Sequence, residues 1–179
     1  TCFYIKYIVS SYIKLIIFIV VLLFISAAVL FIESSTDNMN KAMPDINNGI
    51  VDGDNEYNEA VELVNNKNFY KSMEKAESAG DNYNKSKNRL LEIRGNFSSE
   101  VNSVHKDYIN TLIDEVEYKL KAVDLLKEAI ECFEVNSNYT GSNYGFEAND
   151  AMNQAVEYQN QRDVIVRDNQ NLFKQSFGI

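Results

Sequence analysis

Residues 99–136, SEVNSVHKDYINTLIDEVEYKLKAVDLLKEAIECFEVN, decide the fold. Within them Val101, Val104, Tyr108, Leu112, Val116, Leu120, Val123, Leu126, Ile130 and Phe133 recur every three or four residues. The mean step is about 3.6 residues, the α-helical period. A helix over this stretch is about 57 Å long at 1.5 Å per residue. Its apolar stripe needs covering along the whole length, either by two shorter partners end to end or with the help of a kink. Ser98 or Ser99 can cap its start.

The flanking segments supply the partners. Phe69, Met73, Ala76, Gly80, Tyr83 and Leu90 share a stripe over residues 69–94. Gly80 costs a helix interior about 1 kcal/mol against Ala. The stripe keeps phase through it, which favours one continuous helix over a turn at residues 79–82. A shorter helix is expected over residues 54–66, with Ala60, Leu63 and Val64 on one side and Asn65-Asn66-Lys67-Asn68 closing it. Gly95 and Asn96 mark a turn. Residues 136–145, NSNYTGSNYG, read as a loop, and a last helix follows over residues 147–173. Its stripe is Ala148, Met152, Ala155, Val166 and Phe173, interrupted by Gln159 and Asn169. Strand alternation is absent. The fold class expected is all-α, an antiparallel bundle of three to four helices.

Upstream, Leu15 to Ile32 is an uncharged run of 18 residues with Ser26 as its one polar member. About 20 apolar residues span the hydrocarbon core as a helix. The run reads as a transmembrane anchor through Leu15, Ile19, Leu23, Ala27 and Ile32. Lys6 and Lys14 precede it, and Glu33 and Asp37 follow. The positive-inside rule therefore sets the N-terminus in the cytoplasm and residues 33–179 outside. The rival reading is a secretory signal cleaved after Ala28, because Ser26-Ala27-Ala28 has the small residues such a site needs. Residues 33–54 hold the one Pro, two Gly and five acids, and read as a polar linker. The domains expected are a stub and anchor at 1–32, a linker at 33–54 and an extracytoplasmic bundle at 55–179.

The formal charge is −9, and from Glu33 onward 15 basic face 26 acidic residues. Such a body does not displace counterions from phosphates, so nucleic acid is excluded as a partner. One His and two Cys give few parts for a metal or a His-based site. His105 has no His or Glu at ligand spacing and reads as a packed or surface residue. Cys132 reads as a small buried hydrophobe, or as an intermolecular disulfide if exposed. Asp52-Gly53-Asp54-Asn55-Glu56 begins like a calcium loop, but Tyr57 and Leu63 stand where Gly and Glu are required. Asp114, Glu115 and Glu117, with Lys119 and Lys121 at i,i+4 behind the two Glu, read as a solvated face. Asp124, Glu128 and Glu131 extend it. Asn84, Asn96 and Asn138 head glycosylation sequons. Tyr139 and Tyr144 would decorate an exposed recognition loop.

Tyr57 through Leu63, then Asn68-Phe69-Tyr70 and Ala76-Glu77-Ser78-Ala79, resemble a tetratricopeptide helix hairpin, though without its usual Gly and Pro landmarks. The whole chain resembles uncharacterised single-span, Asn-rich helical surface proteins of methanogenic archaea in composition and layout. That resemblance implies no activity. With no phosphate loop, nucleophile elbow or Cys-x-x-Cys, neither catalysis nor a cofactor is expected. The leading expectation is a membrane-anchored extracytoplasmic scaffold or interaction protein that binds a protein partner or itself. A small-ligand sensor or solute-binding module, signalling through a partner, is the second.

Overall fold

The computed structural model describes residues 39, 41–99 and 101–177. Five helices account for nearly all of them: α1 over 41–65, α2 over Phe69–Gly95, α3 over Ser103–Glu134, α4 over Asn138–Asp168 and α5 over Gln170–Phe177. The described residues are all-helical apart from short turns, as their periodicity requires. Contacts fix an up-down-up-down order. Ser86 reaches Ile46 and Ser72 reaches Ala60, so α2 runs antiparallel to α1. Lys87 pairs with Glu117, and Gly80 faces Val123, so α3 reverses again. Gly141 lies against Phe133 and Tyr118 stacks on Tyr158, which sets α4 antiparallel to α3. Met43, Ile46, Tyr83, Leu90, Ile109, Leu112, Val116 and Ile130 are among the side chains of one continuous core.

The two turns at one end share a geometry. Lys67 and Asn136 take positive φ, and the amides of Asn68 and Ser137 return to the carbonyls of Leu63 and Cys132. Each is a Schellman closure with a non-Gly residue in the left-handed position. Phe69 and Phe133 stack beside them, bringing both turns to the same end. At the other end Asn102, rather than either Ser, caps α3 by accepting from the Val104 amide.

Two boundaries differ from the sequence reading. The segment 41–54 is not a linker but the first half of α1. Ala42, Met43, Ile46 and Ile50 are buried on one stripe. Gly49 and Gly53 are sites of close approach rather than breaks. A Cβ on Gly53 would lie 2.5 Å from the Tyr83 ring, and one on Gly49 would lie 2.5 Å from Ser86 Oγ. Likewise the segment 136–145 is not a loop. α4 starts at Asn138, and Gly141 packs against Phe133, whose ring a Cβ would meet at 2.8 Å. α2 runs unbroken through Gly80.

The tetratricopeptide resemblance does not extend to the architecture. Residues 57–79 do form a hairpin, yet α1 and α2 together run from 41 to 95, well beyond a 34-residue repeat. No described helix is long and apolar enough to cross a membrane. Leu15, Ile19, Leu23, Ala27 and Ile32 lie outside the described residues.

Candidate functional site

α3 is the central helix. It packs against both α2 and α4, and Lys119 also ties it to α1. Its solvated face runs through Asn110, Glu117, Lys121, Asp124, Glu128 and Glu131, and two of its charges lie off that face and are buried: Glu115 is 1% exposed and Lys119 is 4% exposed. The solvated-face reading is therefore wrong for this pair, although the i,i+4 contact itself exists at 3.6 Å. Lys119 Nζ donates to both oxygens of Asp54 on α1, at 2.5 and 2.8 Å. The Tyr83 hydroxyl donates to Asp54 Oδ1 at 2.6 Å. Arg162 on α4 pairs with Glu115 Oε2 at 3.4 Å and lies 6.0 Å over the Tyr108 ring. Four charges from three helices thus alternate in sign and sum to zero.

Asp54, Glu115, Arg162 and Tyr108 line a cleft of about 550 Å³ between α1 and α4, with Lys119 and Tyr83 beneath Asp54. Asn47, Ile50, Val51 and Asp54 form one wall, and Gln159, Arg162, Asp163, Val166 and Arg167 form the other. Tyr108 and Glu115 lie at the bottom, and Gln170 of α5 closes one end. The apolar contribution comes from Ile50, Val51 and Val166. Burial pushes the Glu115 carboxyl above its ordinary range, and Arg162 and then Lys119 pull it back. Burial likewise raises Tyr83, with its bond to Asp54 adding to the effect. Glu115 Oε2 accepts no hydrogen bond among the described residues. Its contact there is the long ion pair with Arg162 at 3.4 Å.

The other sequence candidates are scattered. His105 is buried rather than on the surface, edge-on to Phe173, and burial lowers its pKa. Asp52 to Glu56 sit inside α1, where Asp54 pairs with Lys119. No group of three potential ligands for a metal occurs among the described residues. Glu117 is exposed but pairs with Lys87, while Lys121 lies over Tyr118. Asp114 is half-buried, and Asp124, Glu128 and Glu131 are solvated. Cys132 is half-buried and free. Asn84, Asn96 and Asn138 are exposed, on α2, just after it and at the start of α4. The hydroxyl of Ser86 in the first sequon is buried on the Ile46 carbonyl. Tyr139 is 82% exposed and Tyr144 is half-buried, both on α4 and not in a loop.

Sequence reasoning missed Asp54, Glu115, Lys119 and Arg162 as a set. The available signal was the width of the α3 pattern: Ile109, Ile113, Ala122 and Ala129 lie off the main stripe and are buried as well. No family model matches the chain, and neither curated proteins nor solved structures include one significantly similar to it.

Proposed function

We propose that the protein is a non-catalytic, membrane-anchored helical binding module on the outer face of the membrane, and that the cleft between α1 and α4 holds a small ligand. The apolar run 15–32 and its flanking charges support the anchor and the orientation. The observation that carries the ligand reading is Glu115, a buried carboxylate on a cleft floor with one oxygen accepting no hydrogen bond. A void of this size suits a small molecule, since ligand sites run from about 300 to 1,000 Å³. Several convergent polar groups over an apolar wall are what such sites use for orientation and affinity.

The test is a thermal-shift screen of small molecules against the full chain and against Val51→Trp. Val51 is 55% exposed on the cleft wall, so an indole there fills the cleft without disturbing the core. A compound that raises the melting temperature of the wild type and not of the variant supports the reading. A library in which no compound distinguishes the two sinks it.

A second observation favours the scaffold reading. Tyr70, Val135 and Tyr139 are each more than 70% exposed, and all lie at the end opposite residue 41. Exposed aromatics of this kind are enriched in protein interfaces. Affinity capture of the full chain from native membranes, compared with a Tyr70→Ser/Tyr139→Ser variant, tests this. A stoichiometric partner lost in the variant supports it, and equal recovery by both proteins refutes it.

A further inference from the structure

The charge balance of the cleft narrows the ligand, given the reading of the cleft as a ligand site. At the floor Asp54 and Glu115 supply two negative charges and Lys119 and Arg162 two positive ones, while the exposed Asp163 and Arg167 on the wall offset each other. A bound cation or anion alone would leave this set with a net charge, which is penalised most at Glu115 and Lys119, its two buried members. A zwitterion would not. Glu115 Oε2 calls for an N–H donor, which rules against quaternary ammonium zwitterions that have none. The guanidinium of Arg162 lies 3.4 Å from that oxygen without hydrogen-bonding it, so the pair has slack. Its side chain is 15% exposed, and a guanidinium carries five donors in a fork that fits a carboxylate. Opposite charges this close match an ammonium and a carboxylate held one carbon apart. Beside them Ile50, Val51 and Val166 offer an aliphatic surface.

We propose that the cleft binds a free α-amino acid with an aliphatic side chain. Its ammonium donates to Glu115 and to the partly exposed Asp54, and its carboxylate is taken by Arg162. Arg162 moves outward to admit the ammonium, exchanging its loose contact with Glu115 for a bidentate bond to the ligand.

The experiment is isothermal titration of the full chain in phosphatidylcholine nanodiscs. The probes are L-leucine, L-valine and L-alanine, with 3-methylbutylamine as the cation alone and 4-methylpentanoate as the anion alone. The expected result is that L-leucine binds about tenfold or more tightly than either single-charge analogue, since each lost charged hydrogen bond costs at least that factor. Glu115→Gln should weaken L-leucine by about tenfold or more. Val51→Trp should remove its binding while leaving the fold intact. If 3-methylbutylamine binds as tightly as L-leucine, the amino-acid proposal is overturned and the cleft remains a ligand site. If none of the three amino acids binds, the proposal also fails, and the separate screen decides the broader reading. Equal binding of L-leucine by the Val51→Trp variant places it outside the cleft and overturns the proposal.

Discussion

Replacing Lys119 by Met tests whether the charged floor of the cleft is as dry as its geometry implies. Met keeps the length and apolar stem of Lys and removes the ammonium. Two carboxylates lose a partner, but not equally. Asp54 is 38% exposed and keeps the Tyr83 donor, so water can replace the lost contacts. Glu115 is 1% exposed, and water reaches it only if Arg162 moves aside from its place over that carboxylate. The cost is therefore that of one stranded buried charge rather than two. Breaking a buried pair costs about 3–5 kcal/mol, and because Arg162 still faces Glu115 the expected loss is near the lower end, about 3 kcal/mol. At about 2–4 °C per kcal/mol for a chain of this length, the melting temperature should fall by about 6–12 °C at pH 7.

The same variant has a pH signature. Burial already holds the Glu115 carboxyl above its ordinary pKa of 4.5, and Lys119 is one of the two groups opposing that rise. Without Lys119 the folded-state pKa climbs further. Over the interval between the unfolded and folded values, the native state binds more protons than the unfolded state, so stability rises as pH falls. The deficit of Lys119→Met should be largest at pH 7 and narrow toward pH 5. Adding Glu115→Gln to Lys119→Met removes the stranded charge and should restore at least half the loss. Circular dichroism melts of the full chain at both pH values read all of this. A deficit below about 1 kcal/mol, or one equal at pH 5 and pH 7, would refute the argument that Glu115 is sealed from water.

Three further substitutions separate packing from propensity, each read by chemical denaturation of the full chain. Gly53→Ala should destabilise by about 1 kcal/mol: overpacking the Tyr83 ring costs about 1–3 kcal/mol, less about 1 kcal/mol of helix propensity. Gly145→Ala, with nothing within 4 Å of the new methyl, should stabilise by up to about 1 kcal/mol. If both glycines respond alike, close approach of α1 to Tyr83 is not what sets the first. Ser72→Ala should cost about 1 kcal/mol through its 2.7 Å bond to the Ala60 carbonyl, and a neutral result would mean that bond is not formed in solution.

The parts of this fold that were legible are those where packing and local propensity agree. α2 and α3 run within a few residues of their expected bounds because Leu, Val, Ile and Tyr recur on them at helical spacing. The lower half of α1 and the first turns of α4 were illegible because Gly49, Gly53 and Gly141 are read locally as turn signals. Each is instead a place where a neighbouring side chain needs the space of a Cβ, and that requirement comes from another helix. A one-residue cue cannot distinguish a glycine that ends a helix from one that lets two helices meet.

The site follows the same logic one level up. Glu115 and Lys119 form the i,i+4 pair that their spacing suggests, but a spacing rule cannot tell whether the pair faces water. What decides it is that α3 has neighbours on several sides, and this was partly written in the sequence. Ile109, Ile113, Ala122 and Ala129 widen the apolar surface of α3 well beyond one stripe. Once the helix is wrapped, charges at 115 and 119 must find partners on the helices that wrap it, since an unpaired buried charge costs several kcal/mol. Asp54 meets that demand 65 residues upstream, and Arg162 meets it from the next helix. Neither could be chosen in advance among 26 acids and 17 bases, because the choice depends on helix register. The need for such partners can thus be argued from one helix, whereas their identity, and the cleft they open between α1 and α4, belongs to the assembled bundle.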